Sequence, residues 1–110
     1  MTRSMALAAG IAALIASAPV ATAADYPTKP ITLMIGFAPG GPSDVMARIL
    51  TRKLEELLKQ PFVIENRAGA GGNVGADAAY HAEPDGYTLF ASPPPPLVIN
   101  QNLYAKLPFN

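Results

Sequence analysis

The sequence contains no cysteine, one histidine, and equal numbers of basic and acidic residues, eight of each. Without cysteine the chain cannot form a disulfide, carry a lipid-anchored cysteine or offer thiolate ligands to a metal. A formal net charge of zero gives no electrostatic case for binding nucleic acid or an anionic membrane surface. We therefore expect neither of these among its partners.

Arrangements of catalytic residues are also missing. The single histidine, His81, falls on a predicted helix and is expected to face away from the loops described below. There is no G-x-S-x-G nucleophile elbow. Asp44 and Asp85 are expected at opposite edges of the sheet, so they should not form a carboxylate pair, and potential metal ligands do not cluster. The sequence therefore gives little support to an enzyme, and we expect no cofactor and no metal.

The first 23 residues have the pattern of a secretory signal peptide. Arg3 supplies a basic start, residues 5–20 are mostly apolar, and Ala21-Thr22-Ala23 is an A-x-A cleavage site. The alternative is a membrane anchor, but an apolar run of about 16 residues is short against the ~20 that a spanning helix needs. We predict cleavage after Ala23 and a periplasmic location for residues 24–110.

Three apolar runs alternate with two helical patterns in the rest of the chain. Since consecutive parallel strands are joined by right-handed crossovers, this βαβαβ order predicts an α/β fold with a parallel sheet in the order 2-1-3. Ligands of such sheets bind at the carboxyl edge. The predicted strands cover 31–37, 62–65 and 87–91, and the predicted helices cover 43–60 and 73–82.

The helical patterns also predict caps and a buried face. Ser43 is expected to cap the first helix with its hydroxyl and Asn73 to cap the second, while Asp44 lies in the first turn, where the helix dipole favours an anion. Small residues in the second helix allow it to approach the sheet closely. Six apolar residues of the first helix recur at helical spacing and are expected to face the core: Met46, Ile49, Leu50, Leu54, Leu57 and Leu58.

Four consecutive prolines, residues 93–96, follow the third strand. Proline cannot donate to a ladder and favours an extended polyproline form, so this segment is expected to be a stiff connector. A ligand-facing loop or a docking peptide is the alternative. Residues 97–103 could begin a further helix.

Two glycine-rich loops follow the first and second strands, and neither is a nucleotide motif. Gly36 and Gly41 have the spacing of a phosphate-binding loop, but Pro42 stands where that loop needs lysine. Residues 69–71 begin a dinucleotide fingerprint whose third glycine is replaced by Val74. The remaining possibility is capture of a small anion by main-chain N–H groups, which glycine leaves open to close approach.

Four ordered motifs resemble those of one family. Residues 29–31 (K-P-I) with 37–44 (F-A-P-G-G-P-S-D), 65–76 (E-N-R-A-G-A-G-G-N-V-G-A), 84–89 (P-D-G-Y-T-L) and 99–104 (I-N-Q-N-L-Y) resemble the Bug family. These are the extracytoplasmic solute-binding receptors of tripartite tricarboxylate transporters. Gly36 replaces the proline that usually precedes the phenylalanine.

The resemblance implies a two-lobed, Venus-flytrap periplasmic-binding-protein fold of type II, with a small carboxylate-bearing organic solute in the cleft. Residues 24–110 would be an incomplete N-terminal lobe, the partial first domain, with the second lobe absent. Membrane permease subunits of the transporter are the implied protein partner, and the receptor itself is expected to be a monomer. The implied ligand-binding residues are Ala38, Pro39, Gly40, Gly41, Ser43, Asp44, Ala70, Gly71, Gly72, Asn73 and Ser92.

Two other functions stay open at this point. The chain could be a truncated, non-functional remnant that binds no ligand. It could also be a small enzyme on a flavodoxin-like sheet, although such an enzyme would need an acid, base or nucleophile arrangement.

Overall fold

A computed structural model describes residues 25–109, so the predicted signal peptide and its cleavage site lie outside the described residues. No helix in this part of the chain is both long and apolar enough to cross a membrane. The strands are β1 (Ile31–Ile35), β2 (Phe62–Asn66) and β3 (Thr88–Ala91). The helices are α1 (Pro42–Leu58) and α2 (Asn73–Tyr80), and a π-helical segment (Pro95–Ile99) leads into the short helix α3 (Asn100–Leu103).

The three strands form one parallel sheet in the order β2-β1-β3, which confirms the predicted topology. In the register, Leu33 of the central strand lies between Ile64 and Leu89. Being central, β1 is also the most buried strand, and Ile31 and Ile35 are almost fully enclosed. All three strands therefore end at the same edge, which is where the loops of interest begin.

Helix α1 begins one residue earlier than predicted and is capped differently. Gly41 is the N-cap, Pro42 occupies the first helical position, and no side chain caps the helix, so the prediction for Ser43 is wrong. Proline suits this position because its missing N–H would have no partner inside the helix. The helix ends at Leu58, where Lys59 adopts the left-handed conformation and donates its N–H to the Glu55 carbonyl at 3.0 Å.

The prediction that the apolar stripe of α1 faces the core is largely wrong. The fully buried side chains of this helix are Asp44, Ala47 and Thr51. By contrast, Met46 is 67% exposed and Leu57 66% exposed. The helix is rotated so that its small side chains and Asp44 meet the sheet, which leaves the larger apolar side chains on the outer side.

Helix α2 lies very close to the sheet, as the small residues predicted. A Cβ added to Gly75 would lie 2.7 Å from the Gly36 Cα and 3.1 Å from the Arg67 carbonyl oxygen. The helix is capped by Gly72 with no side-chain contribution, so the capping role predicted for Asn73 is wrong. The side chain of Asn73 is buried in another contact, which is described below.

The proline run is helical at its end, so the prediction of an extended polyproline connector is wrong. Pro94 has φ −53° and ψ −32°, and the π-helical segment begins at Pro95. A first helical turn tolerates proline because its N–H groups have no partner inside the helix. The helix predicted over 97–103 is thereby confirmed, with an earlier start.

A cluster of side chains at the opposite edge fixes the lead-in to β1. The backbone N–H of Thr28 donates to the Tyr87 hydroxyl at 2.9 Å, and Tyr26 packs on Tyr87 with ring centroids 5.0 Å apart. Lys29 contacts the Asp85 carboxylate at 3.0 Å and lies 4.3 Å from the centre of the Tyr87 ring. We call these five residues the amino-edge cluster. Asp85 therefore lies at the edge opposite to Asp44, as predicted.

Candidate functional site

Three loops meet at the carboxyl edge of the sheet. The first loop (residues 36–41) joins β1 to α1, the second loop (residues 67–72) joins β2 to α2, and Ser92 follows β3. Because β1 is the central strand, the first loop lies between the other two. The structure therefore brings all the sequence-predicted site residues to one edge.

Asp44 is buried and its carboxylate is fully engaged within the protein. It accepts hydrogen bonds from the Gly40 backbone N–H at 2.9 Å, from Arg48 Nε at 2.8 Å and from Asn66 Nδ2 at 3.1 Å. The hydrogen bond from Arg48, followed by that from Gly40, outweighs desolvation and lowers the pKa of Asp44 from 3.8 to about 2. Asp44 is thus a fixed anion that ties the first loop to the end of β2, and its carboxylate is not a free group in the site.

Because the Asp44 carboxylate binds a main-chain N–H of the first loop, that N–H is not available to a ligand. The N–H of Gly40 points to the carboxylate, and that of Gly41 to the Ala38 carbonyl at 3.4 Å. Within residues 25–109, the backbone N–H groups of Ser43 and Asp44 have no acceptor, as is usual in the first turn of a helix. The two glycines of the first loop therefore offer no free donor, whereas the start of α1 next to them offers two.

The second loop has three consecutive residues in the left-handed region. Their φ angles are 47° at Ala70, 65° at Gly71 and 93° at Gly72. The N–H of Gly72 donates to the Gly69 carbonyl at 2.9 Å, and that of Asn73 donates to the Ala70 carbonyl. In the part of the chain that the structure describes, the N–H groups of Ala70 and Gly71 have no acceptor. This loop therefore presents two adjacent free donors on an exposed turn.

Glycine at 71 is required for a different reason from the one that the sequence suggested. A Cβ added there would lie 3.4 Å from the Tyr104 hydroxyl and 3.5 Å from Asn100 Nδ2, so it would point into the protein. A side chain would not stand between the main chain and an incoming ligand. Glycine is needed because φ is positive, and at Gly40 too φ is +81°. At Gly40 an added Cβ would meet nothing within 4 Å.

Two residues that sequence reasoning left without a role support the second loop from behind. Asn100 Nδ2 donates to the Gly71 carbonyl at 3.2 Å and to Asn73 Oδ1 at 2.7 Å. The Tyr104 hydroxyl donates to the Ala70 carbonyl at 3.4 Å. Both residues belong to the I-N-Q-N-L-Y motif at 99–104. The motif could therefore be recognised in the sequence, but it does not indicate which residues Asn100 and Tyr104 contact.

Ser92 lies at the same edge but makes a local contact. Its hydroxyl donates to the neighbouring Pro93 carbonyl at 3.0 Å, and its side chain is half-buried. Ala38 and Pro39, by contrast, are exposed at the tip of the first loop. The oxygen of the Ser92 hydroxyl can still accept a hydrogen bond, so it can bind a donor group of a ligand at this edge.

The chemistry available at the edge is anion binding by neutral donors. Within the described residues, the N–H groups of Ser43, Asp44, Ala70 and Gly71 are free, and the first two lie at the start of a 17-residue helix whose dipole favours negative charge. Residues 25–109 contain no group of three or more side chains that could hold a metal ion. An open groove of about 630 Å³ is lined in part by Tyr80, Phe90, Leu97 and Leu107. Its lining is mostly apolar and does not bring these donors together.

Comparison with known proteins decides the family. Residues 46–110 match the model of the tripartite tricarboxylate transporter family receptor. The chain belongs to this family. Protein BugT of Bordetella pertussis is 44% identical over 113 residues, an overlap that covers 99% of the chain and 34% of BugT. The predicted relationship to the Bug family is thus confirmed, and the chain spans about a third of the length of that relative.

Two solved structures with bound carboxylates show the same fold. An adipate-bound protein from R. palustris superposes with a TM-score of 0.73 at 34% identity, over 77% of this chain and 28% of that one. MatC from Rhodopseudomonas palustris, with bound malate, gives a TM-score of 0.57 at 45% identity, over 59% of this chain and 22% of that one. The fold is therefore part of a domain of a periplasmic binding protein, as the family resemblance implied.

Proposed function

We propose that this chain forms the carboxylate-holding part of an extracytoplasmic solute receptor for a tripartite tricarboxylate transporter. One observation carries the proposal: the free N–H groups of Ser43, Asp44, Ala70 and Gly71 all belong to the carboxyl edge of one sheet. Donors of this kind match the oxygens of a carboxylate, and a ligand held by main-chain groups needs no charged partner from the protein.

The proposed site keeps all eleven residues named from the sequence but divides their roles. Ser43, Asp44, Ala70 and Gly71 supply backbone donors, directly or through bridging water, which is energetically close to a direct bond. Ala38 and Pro39 form the exposed tip of the first loop, and Ser92 offers a hydroxyl from the third strand. The other residues shape the turns: Gly40, Gly41, Gly72 and Asn73.

The known ligands of two relatives support a carboxylate as the shared element. Adipate and malate differ in length and in hydroxylation, and both carry terminal carboxylates. We infer that the loops recognise one such terminus, while the rest of a solute is recognised by other parts of a receptor. The family that the chain matches is one of transporter receptors, so we infer that this chain is not an enzyme.

Location and partners follow from the proposed function. Export by the predicted signal peptide would place the receptor part in the periplasm, where it would meet membrane permease subunits as a monomer. Residues 24–110 would form an N-terminal lobe, with one side of a ligand cleft. A buried ligand normally loses 70–90% of its surface to the protein, and one lobe covers only about half of that.

The expected affinity of the chain alone is therefore low. Four hydrogen bonds at ~1 kcal/mol net each do no more than balance an association cost of at least ~4 kcal/mol. We expect no measurable binding below about millimolar ligand. A method that detects weak complexes is needed to test the proposal.

The test is an NMR titration of residues 24–110, which we call the mature chain, with malate and adipate up to about 50 mM. The amide signals of Ser43, Asp44, Ala70 and Gly71 should shift with the carboxylates and not with the corresponding neutral diamides. Shifts that are absent, or equal with the diamides, would contradict the proposal and favour a remnant without ligand binding.

A variant separates backbone recognition from simple charge attraction. Arg67 lies on the second loop, half-exposed and paired with Glu65 at 2.6 Å, and is the nearest cation in sequence to Ala70. The Arg67→Gln variant should show the same four shifts. If they disappear, the arginine and not the main chain holds the carboxylate.

A further inference from the structure

Asn100 holds the main chain of the second loop through a buried side-chain amide. The side chain is 3% exposed, and its amide nitrogen has two hydrogens and two acceptors: the Gly71 carbonyl at 3.2 Å and Asn73 Oδ1 at 2.7 Å. A backbone carbonyl can only accept, so the amide group of Asn100 must turn its nitrogen toward Gly71. Because the same nitrogen also donates to Asn73, the side chain of Asn73 must turn its Oδ1 toward Asn100.

The loop needs such support because its conformation is unfavourable by itself. Ala70 has φ 47°, a region that alanine rarely adopts, and it is followed by two residues that are also left-handed. The N–H groups of Ala70 and Gly71 have no acceptor among residues 25–109. Each N–H lies in one rigid peptide plane with the carbonyl of the preceding residue, so the direction of the Gly71 donor follows that of the Ala70 carbonyl. The Gly71 carbonyl lies on the other side of the Gly71 Cα atom, and a contact that holds it limits the rotation that would turn this donor.

We propose that Asn100 is the positioning residue of the carboxylate site. It locks the Gly71 carbonyl and also the side chain of Asn73, the residue whose N–H holds the Ala70 carbonyl, and thereby keeps the Gly71 donor and the turn around it in place. Tyr104 assists through its longer contact of 3.4 Å with the Ala70 carbonyl. The effect on ligand affinity rests on the function proposed above, whereas the effect on the loop does not.

The first experiment measures loop order without ligand, by ¹⁵N relaxation of the mature chain. In the unmodified chain the amides of Ala70 and Gly71 should have order parameters near the ~0.85 of rigid backbone, and Asn100→Ala should lower them below about 0.6. The matched control is Asn102→Ala, the same substitution at an exposed position of α3, which should change neither value. Equal loop order in Asn100→Ala and in the unmodified chain would overturn the proposal.

A second measurement needs no variant and remains decisive if Asn100→Ala does not fold. Both side-chain amide protons of Asn100 are bonded and the side chain is buried, so they should exchange with water much more slowly than those of exposed Asn102. Exchange at the same rate would show that the contact does not form in solution.

The third readout separates a positioning role from a merely structural one. If Asn100→Ala leaves the loop in its binding geometry for about a tenth of the time, the apparent dissociation constant for malate should rise about tenfold. Asn102→Ala should leave it unchanged. A loss of loop order with unchanged malate affinity would overturn the positioning role, whereas absent malate shifts in the unmodified chain would contradict only the proposed function.

Discussion

Replacing Gly75 by alanine tests how closely α2 is seated on the sheet. Two effects of opposite sign compete at this position. Alanine has a higher helix propensity than glycine by about 1 kcal/mol, which would stabilise the helix. The added Cβ, however, would stand 2.7 Å from the Gly36 Cα and 3.1 Å from both the Gly36 nitrogen and the Arg67 carbonyl oxygen.

The steric effect should win because every neighbour is a backbone atom. No side chain can rotate away, so the helix must move by several tenths of an ångström. Overpacking of this kind costs about 1–3 kcal/mol, and rigid neighbours place Gly75→Ala at the upper end. Subtracting the gain in propensity leaves a loss of roughly 2 kcal/mol in the free energy of unfolding. For a domain of this size that is a fall of about 8–16 °C in the melting temperature.

Urea titration followed by circular dichroism at 222 nm measures this loss. The matched control is Val74→Ala, which also introduces alanine into α2 but at a half-exposed position, where only propensity should matter. Val74→Ala should leave the urea midpoint unchanged or slightly raised. If Gly75→Ala raises the midpoint as well, helix propensity alone decides, and the close contact between α2 and Gly36 does not exist in solution.

Two further predictions concern Asp44 and the N-terminus. The pKa of Asp44 is lowered in the folded state to about 2, so the stability that its contacts provide is present above its ordinary pKa near 4 and is lost as the pH falls toward 2. Urea midpoints of Asp44→Asn should therefore fall less between pH 4 and pH 2 than those of the unmodified chain, and parallel curves would contradict the assigned contacts. Export should remove residues 1–23, so sequencing of secreted protein should begin at Ala24, and recovery of uncleaved chain from the cytoplasm would count against a signal peptide.

The topology of the sheet could be predicted from the sequence because it depends on local patterns and one general rule. Apolar runs located the strands, and the handedness of the crossovers fixed the order 2-1-3. The glycine-rich segments located the two loops, because each segment lies between the end of a predicted strand and the start of a predicted helix.

The orientation of α1 could not be predicted in the same way. Periodicity shows which residues share a face, but it does not show which face meets the sheet. Here the reach of Asp44 to Asn66 and the small size of Ala47 bring a less apolar face inward. The stripe that contains Met46 and Leu57 is therefore outside.

The support of the second loop was also beyond sequence reasoning. Asn100 and Gly71 are separated by 29 positions in the chain, and their contact depends on a helical turn formed directly after the prolines. The proline run itself indicated an extended segment. The helix over 97–103 was predicted, but its pattern did not indicate that Asn100 would face the second loop.

The distance between the amino-edge cluster and the two loops has a practical consequence. A strand of five residues spans about 17 Å, and effects of substitutions more than 7–10 Å apart usually add. Tyr87 and its neighbours can therefore be altered to change the stability of the scaffold while the geometry of the donors stays the same. Substitutions at the amino edge of the sheet can thus be used to change the stability of the fold, and substitutions at the carboxyl edge to change which ligand binds.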